Sequence, residues 1–292
     1  MKGVKEIKAR LGSVGNIKKV TSTMELVAAA KMKKLQDRAM ASRPYAESIQ
    51  TMMGQIAAHV PDDVSPLLAE PTSVERECLV VVGADKGLCG AFNSNLFRSA
   101  LQHMEESKAQ GIEVEVYTFG ARTAKFFNKL GVKFVGAAEE RMEQIGYRRV
   151  AEAMSGLTDD FVEGRFQRVS VIFTYMESAM KFEPRVVGLL PVPKVEATDD
   201  DTSGSAMDFI MEPSASVIMQ RLIPKSLEMK LFNGVLESLA SEFASRRMAM
   251  KNATDSASDM IDDLTMEYNK ARQSGITGEL LEIVAGAEAL NG

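Results

Sequence analysis

Prolines are confined to the middle of this 292-residue chain, and their distribution constrains the fold more than any other feature of the sequence. All nine lie between Pro44 and Pro224. A proline inside a helix removes a backbone hydrogen bond and clashes with the preceding turn. The segments before Pro44 and after Pro224 can therefore form helices much longer than the typical ~11–12 residues.

Both ends also carry apolar residues three or four positions apart, the spacing of one face of an α-helix. The N-terminal series is Val4, Ile7, Leu11, Val14, Thr21, Met24, Ala28 and Leu35, interrupted by Lys18 and resuming at Ile49 after Pro44. The C-terminal series is Leu231, Val235, Leu239, Phe243, Met250, Ile261, Leu264, Tyr268, Ile276, Leu280, Ile283 and Leu290. Neither helix can bury its stripe against its own chain, so each needs a packing partner.

Charge and side-chain size favour the opposite terminus as that partner. Residues 1–44 hold eleven Lys/Arg against three Asp/Glu, a net charge of +8, whereas residues 225–292 hold seven against eleven, a net charge of −4. Small side chains at Val27–Ala30, Ala253 and Ala257 would allow a close antiparallel approach. Periodicity alone leaves a second arrangement equally open, in which each helix packs on a central domain.

The centre of the chain alternates between strand and helix patterns. Strand patterns cover 77–84, 112–119, 132–135, 166–175 and 184–190, and helical patterns cover 91–110, 121–130 and 144–163. Such alternation predicts a parallel, Rossmann-like α/β layer domain. The expected organisation is an N-terminal coiled-coil helix at 1–60, an α/β domain at 75–195, a polar loop at 196–213 and a C-terminal coiled-coil helix at 214–292.

Composition excludes several classes of protein. A net charge of −5 is unlike that of a nucleic-acid-binding domain, which is usually basic. The basic N-terminus lacks the apolar stretch of a signal peptide, and no apolar run approaches the ~18 residues of a membrane span. We therefore expect a cytoplasmic protein with reduced thiols at Cys78 and Cys89, which meets a membrane only through a partner.

The segment Gly83–Gly90 is the first candidate for chemistry because it follows a strand and precedes a helix. Phosphates often bind at that position in α/β folds, but the segment matches neither dinucleotide nor P-loop spacing. We interpret it as a tight turn that exposes Asp85 and Lys86 for a contact, with Cys89 as a packing residue. His59, His103 and the acidic run Asp199–Asp201 form no catalytic or metal-binding pattern, so no cofactor is expected.

Three motifs, in order along the chain, resemble those of F-type ATP synthase γ subunits. The first is Ile17–Met32 (IKKVTSTMELVAAAKM), and the second is the loop Asp85–Gly90 (DKGLCG). The third runs from Tyr268–Gln273 (YNKARQ) through Ile276–Ala287. Because the three motifs are long and span almost the whole chain, the resemblance indicates the family strongly.

The resemblance implies a non-catalytic rotor shaft that transmits rotation of the c-ring to the catalytic β subunits of a bacterial enzyme. The terminal helices would form an antiparallel coiled coil inside the hexamer of three α and three β subunits. The α/β domain would contact the ε subunit and the c-ring, on the cytoplasmic face of the inner membrane. Ion flow, proton transport in many members, would thereby be coupled to ATP synthesis or hydrolysis, with nucleotides bound elsewhere in the complex.

The resemblance also assigns contacts to individual residues. Arg272 and Gln273 would hydrogen-bond a loop of the β subunit, and the other β contacts would be Met24, Lys86 and Cys89. The foot that meets the c-ring and ε would include Asp208, Phe209 and Glu212.

Two features depart from the family pattern. Gly275 and Gly278 stand where helix formers are more common, which predicts a break and a flexible tip. No cysteine-bearing insert of the chloroplast type is present, which favours a bacterial source. Two other classes stay open from the residues alone: an α/β enzyme that dimerises through its terminal helices, and a coiled-coil scaffold or chaperone.

Overall fold

The chain forms two compact units that share its two long helices. The paired-helix unit comprises Met1–Ala29 and Arg246–Gly292, and the α/β unit comprises Ala30–Ser245. The structure, a computed structural model, describes residues 2–57, 59–61, 64–138, 140–177, 181–193 and 211–291. The expected foot residues Asp208 and Phe209, and the acidic run at 199–201, lie outside these described residues.

Five helices and five strands make up the described chain. The helices are α1 (Lys2–Ala57), α2 (Phe92–Ala109), α3 (Ala121–Lys129), α4 (Tyr147–Val162) and α5 (Ala215–Asn291). The strands are β1 (Arg76–Val82), β2 (Glu113–Phe119), β3 (Phe134–Ala137), β4 (Arg168–Met176) and β5 (Phe182–Leu190), and short 3₁₀ turns lie at Pro66–Leu68 and Met142–Gln144. The predicted architecture, two long terminal helices and a central α/β domain, is confirmed. Among the described residues, no helix has the length and apolar character needed to cross a membrane.

The two helices of the paired-helix unit run antiparallel. Lys18 Nζ donates to Ser258 Oγ over 2.9 Å, and Thr254 Oγ1 donates to Thr21 Oγ1 over 2.7 Å. The partner number falls as the position in α1 rises, which defines the antiparallel direction. The seam between the helices buries small side chains, with Ala28 and Ala257 only 1% and 6% exposed. The predicted antiparallel pairing is confirmed, and the Lys18 interruption is explained by its bond to Ser258.

The other half of each long helix belongs to the α/β unit, so both arrangements that the sequence left open occur in different parts of the same helices. Residues 30–57 of α1 and 215–245 of α5 lie in this unit. Pro44 and Pro224 lie inside the two helices. The C-terminal helix therefore begins before Pro224, at Ala215. Each proline removes one backbone donor without ending its helix.

The sheet has the strand order β3-β2-β1-β4-β5. Neighbours from β3 to β4 are parallel, but β5 is antiparallel to β4. The expectation of a wholly parallel domain is therefore wrong at this edge. A parallel connection needs a crossover of about a dozen residues or more, and only residues 177–181 join β4 to β5.

Helices α2 and α3 cover one face of the sheet. Their side chains and those of the central strands form one buried cluster that consists of Leu79, Val81, Leu96, Phe97, Ala100, Val116, Phe127 and Ile172. Helix α5 holds the carboxyl end of β1 in place: Ser238 Oγ donates a hydrogen bond to the Val82 carbonyl over 2.7 Å. This end of β1 leads into the loop that the sequence singled out.

Candidate partner-binding surfaces

The loop Gly83–Gly90, which we call the β1–α2 loop, is fastened by Asp85. One carboxylate oxygen of Asp85 accepts the backbone N–H of Ala121 at 3.0 Å, and the other accepts that of Met142 at 2.8 Å. The first donor begins α3 and the second begins a 3₁₀ turn. Asp85 was expected to be exposed for an external contact, but it is half-buried and joins three segments of the α/β unit.

Asn93 and Cys89 hold the inner side of the β1–α2 loop. The Asn93 side chain accepts the Ala84 N–H at 3.3 Å and donates to the Lys86 carbonyl and the Cys89 Sγ, each at 3.3 Å. The Cys89 carbonyl accepts the Ser245 hydroxyl at 2.7 Å. Sequence reasoning missed Asn93; its signal is an amide side chain in the first turn after a glycine-rich loop.

Lys86 and Leu88 are the side chains that the β1–α2 loop presents outward. Lys86 is exposed, and Leu88 is 67% exposed with a positive φ of 62°. Cys89 was expected to share the external contact, but its side chain is only 2% exposed and packs with Ala84 and Phe92. The expectation of a direct Cys89 side-chain contact is therefore corrected: the outward hydrophobic group of the loop is Leu88, its neighbour.

The residues expected to meet β near the termini lie in the paired-helix unit. Arg272 and Gln273 are exposed on α5, and Met24 is half-buried on α1. Met24 lies three residues beyond Thr21, which contacts Thr254, whereas Arg272 lies 18 residues beyond Thr254. The structure thus brings Arg272 and Gln273 together and places Met24 at a different level of the helix pair. Glu212, the described member of the expected foot, is exposed.

Large apolar side chains are exposed along both helices of the paired-helix unit. On α5 they include Ile276, Leu280, Leu281, Ile283 and Val284, each between 48% and 67% exposed. On α1 they include Ile17, Val20, Leu26 and Val27. Clustered exposed apolar residues mark protein interaction sites, so this surface is suited to another protein.

Helix α5 continues through Gly275 and Gly278 to Asn291. The interpretation of this segment as a break is therefore wrong, because two glycines weaken a helix without ending it. Space is open around both positions: a Cβ atom added at either glycine would have no neighbouring atom within 4 Å.

Replacing both Gly275 and Gly278 by alanine is expected to stabilise this end of α5 by about 1 kcal/mol for each residue. Alanine gives up less backbone entropy than glycine on forming a helix. Hydrogen exchange of the amides around residues 270–282 should slow, while the amides of α4 serve as an internal control. Unchanged exchange would mean that the glycines do not limit the helix here.

A buried charged cluster lies at the amino end of β1. Glu77 is 0% exposed, His103 Nε2 lies 2.8 Å from one of its carboxylate oxygens, and the other oxygen accepts from Arg168 and from Ser107. Burial alone would raise the pKa of Glu77, but the hydrogen bonds from His103, Arg168 and Ser170 bring it down to about 2. Glu77 itself is fully buried, whereas its partners His103 and Arg168 are 20% and 31% exposed. We assign this cluster to the stability of the α/β unit.

Neither thiol nor metal chemistry is indicated by the described residues. Both cysteines are buried, and burial raises the pKa of Cys78 well above its usual range, which keeps that thiol protonated. Within the described ranges, no three His, Cys, Asp or Glu side chains are grouped to hold a metal ion.

Comparisons with known proteins agree with this arrangement. The family model described as ATP synthase matches residues 3–290. The rotor of the Euglena gracilis mitochondrial ATP synthase in rotational state 1 has a similar structure, with a TM-score of 0.66 and 17% identity over 94% of this chain and 99% of that chain. A chain from the OSCP/F1/c-ring structure of the same enzyme in rotational state 3 gives 0.68 and 17%, over 99% and 95%.

A third similar structure comes from the central stalk and c-ring of the Tetrahymena thermophila mitochondrial ATP synthase. Its TM-score is 0.59, with 21% identity over 80% of this chain and 99% of that chain. At such identities the structural likeness demonstrates a shared fold.

Proposed function

The chain belongs to the ATP synthase γ-subunit family, and on that premise we propose how its surfaces serve the rotor shaft of the complex. As a member of this family it is a non-catalytic subunit and a component of the central stalk. Its function is to transmit rotation of the c-ring to the catalytic β subunits, and so to couple ion flow to ATP synthesis or hydrolysis.

The antiparallel helix pair is the observation that carries this proposal. Two helices joined by the Lys18–Ser258 and Thr21–Thr254 bonds resist twisting better than a single helix would. The exposed apolar side chains at Ile276–Val284 suit a sleeve of surrounding α and β subunits, because apolar surfaces lack the directional bonds that would fix one rotational angle.

Arg272 and Gln273 are proposed to hydrogen-bond a loop of the β subunit. Both side chains are exposed and adjacent on α5. An arginine presents five donors in a planar fork that matches carboxylate groups, and a glutamine amide both donates and accepts. This pair therefore supplies a polar contact beside the apolar end of the helix.

Lys86 and Leu88 are proposed as a second contact with β. The lysine offers a charge to an acidic surface, and the leucine beside it offers an apolar group with 67% exposure. Asp85, Cys89 and Asn93 support the contact from behind by holding the loop. Met24 is proposed to contribute a further contact from α1.

The location follows from the proposed partners. The segment around Asp208, Phe209 and Glu212 is proposed as the foot that meets ε and the c-ring. We place the chain as a peripheral subunit on the cytoplasmic face of a bacterial inner membrane. The choice between proton and sodium as the coupling ion lies in the c-ring. The lack of a chloroplast-type cysteine insert in the sequence supports the bacterial source.

Reconstitution with cognate α and β subunits tests the shaft role. The chain is expected to assemble as one copy per three αβ pairs and to produce cooperative, multi-site ATP hydrolysis. A probe attached to the chain should then rotate in steps during hydrolysis. A failure to form this complex, with the chain shown to be folded, would refute the proposed role.

Replacing Arg272 and Gln273 together by alanine is expected to weaken assembly about fivefold, which corresponds to about 1 kcal/mol of lost polar contact. Torque measured in the rotation assay should fall as well. Arg148→Ala is the matched control, because Arg148 lies on α4 with its side chain 93% exposed. Equal effects of the two changes would argue against a specific β contact at Arg272 and Gln273.

A further inference from the structure

A cavity of about 340 Å³ opens in the α/β unit at the carboxyl end of β4. Its walls include the first turn of α2, Thr174 of β4, and Lys181 and Glu183 at the start of β5. From β1 the chain continues to β2 and β3 on one side, whereas β4 lies on the other side. The cavity therefore adjoins the topological switch point, the position at which open α/β sheets place their ligands.

Ala91, Phe92 and Asn95 line the cavity, and the two residues between Phe92 and Asn95 carry unused backbone hydrogen-bond donors. Ala91 precedes the helix, and its side chain caps no N–H group. The Phe92 N–H donates to the Cys89 carbonyl, but the hydrogen bonds among the described residues include no acceptor for the N–H groups of Asn93 and Ser94. Unpaired donors at the positive end of an 18-residue helix favour an anionic group.

Thr174 provides an independent indication of a ligand. Its side chain lines the cavity and is only 2% exposed, yet its hydroxyl has no hydrogen-bond partner among the described residues. A buried hydroxyl without a partner costs free energy and calls for an explanation such as a bound molecule. Asn95, on the same wall, adds an amide that can donate to the same molecule.

Glu183 restricts the kind of anion that fits. Its carboxylate lines the cavity, and one of its oxygens pairs with Lys181 Nζ at 2.8 Å. A carboxylate accepts hydrogen bonds and repels an anion that carries no proton. A suitable ligand must accept bonds from Thr174 and the α2 turn while donating one bond to Glu183.

We propose that this cavity binds a protonated phosphate group. At neutral pH phosphate keeps at least one proton, which Glu183 can accept, while its other oxygens accept from Thr174, Asn95 and the first turn of α2. Sulfate has the same shape and no proton at this pH, so the Glu183 carboxylate would reject it. The group could belong to inorganic phosphate, or to a phosphate monoester such as AMP bound as its protonated monoanion, since the second pKa of a monoester is about 6. Neither case depends on the shaft role.

Calorimetry on the folded full-length chain tests the site with inorganic phosphate, sulfate and AMP as separate ligands. Phosphate is expected to bind with a Kd of about 1 mM or less, and sulfate at least tenfold more weakly. Tighter binding of AMP than of phosphate would assign the site to a monoester, and exclusion of AMP would assign it to the free ion. An absence of binding by both would overturn the proposal.

Thr174→Val is the diagnostic variant because it removes the hydroxyl and preserves the shape of the side chain. We expect phosphate binding to weaken at least tenfold while the free energy of unfolding stays the same or rises, since no internal hydrogen bond is lost. Thr118→Val is the matched control: Thr118 is also buried with an unpartnered hydroxyl, but it does not line the cavity. Equal binding by both variants and the unchanged chain would contradict the assignment.

Glu183→Gln tests the selectivity separately. The amide can donate to an anion without a proton, so sulfate should then bind within about threefold of phosphate. Persisting rejection of sulfate would overturn the role of Glu183. If the isolated chain does not fold, cryo-electron microscopy of the assembled complex with and without phosphate gives the same test, because density beside Thr174 is distinct from that at nucleotide sites. An empty cavity at saturating phosphate would refute the site.

Discussion

Replacing Glu77 by glutamine is expected to lower the free energy of unfolding of the α/β unit by about 3 kcal/mol at neutral pH. The carboxylate is fully buried and bonded to His103, Arg168 and Ser107. A neutral amide would leave the Arg168 guanidinium, whose Nε already lacks a partner, without its counter-ion. Hydrogen exchange of the β1 amides in increasing urea would measure the loss.

The lowered pKa of Glu77 also makes the stability of the α/β unit depend on pH. This pKa is about 2 in the folded chain against an ordinary value of 4.5. The carboxylate therefore contributes fully above pH 4.5, and this contribution is lost as the pH falls from about 4.5 toward 2. The shift corresponds to roughly 3 kcal/mol, so the glutamine variant should show a much flatter loss of stability over this range.

Glu152→Gln is the control for the Glu77 prediction. Glu152 forms only a surface ion pair with Arg148 and Arg149 and is 48% exposed, and such pairs contribute about 0–1 kcal/mol. Similar losses of unfolding free energy for the two variants would mean that the buried carboxylate of Glu77 stabilises the fold no more than a surface ion pair does.

Replacing Asp85 by alanine is expected to cost about 2 kcal/mol of stability and to weaken assembly with the α and β subunits about tenfold. Both carboxylate oxygens accept backbone N–H groups, from Ala121 and Met142, and alanine would leave both donors without an acceptor. The loop would then no longer hold Lys86 and Leu88 in place. Urea unfolding and titration of the assembly reaction would measure the two effects.

Asp85→Asn separates the two parts of this prediction. Its single side-chain oxygen can accept one of the two N–H groups, so the loss of stability should be roughly halved. A large loss of stability with unchanged assembly would support the role of Asp85 in holding the loop, but it would refute the proposed contact at Lys86 and Leu88.

The long helices and the succession of helices and strands along the chain could be predicted from the sequence, because both depend on local periodicity. The antiparallel direction of the helix pair followed from opposite net charges and small residues, and Ala28 and Ala257 lie in its seam. The direction of β5 was not predicted, because a strand pattern is the same in both directions. The short connection between Met176 and Phe182 was the available signal.

The roles within the β1–α2 loop were harder to predict, because composition does not tell which way a side chain points. Lys86 is exposed as expected, but Asp85 turns inward to backbone donors and Cys89 is buried. Leu88 faces outward because its backbone adopts a positive φ. The sequence pattern cannot show that the polar Asp85 points inward and the apolar Leu88 outward, because these directions depend on the geometry of the turn.

The sequence pattern identifies Glu77 only as the first residue of a strand. Its three partners come from α2 and β4, between 26 and 91 positions away along the chain. No local pattern connects them. The one signal in the sequence is a carboxylate directly before the apolar run of a buried strand, which indicates a charge in need of partners.

The polar bonds in the seam of the helix pair also limit how the two helices can slide past each other. Lys18 meets Ser258 and Thr21 meets Thr254. A slip of seven residues in one direction would set Lys18 against Lys251 and Thr21 against Arg247, and in the other direction Thr21 against Ile261. The first alignment opposes like charges, and the second leaves a hydroxyl without its partner. A force along the helix axis therefore cannot shift the pair by one heptad into another register of comparable energy.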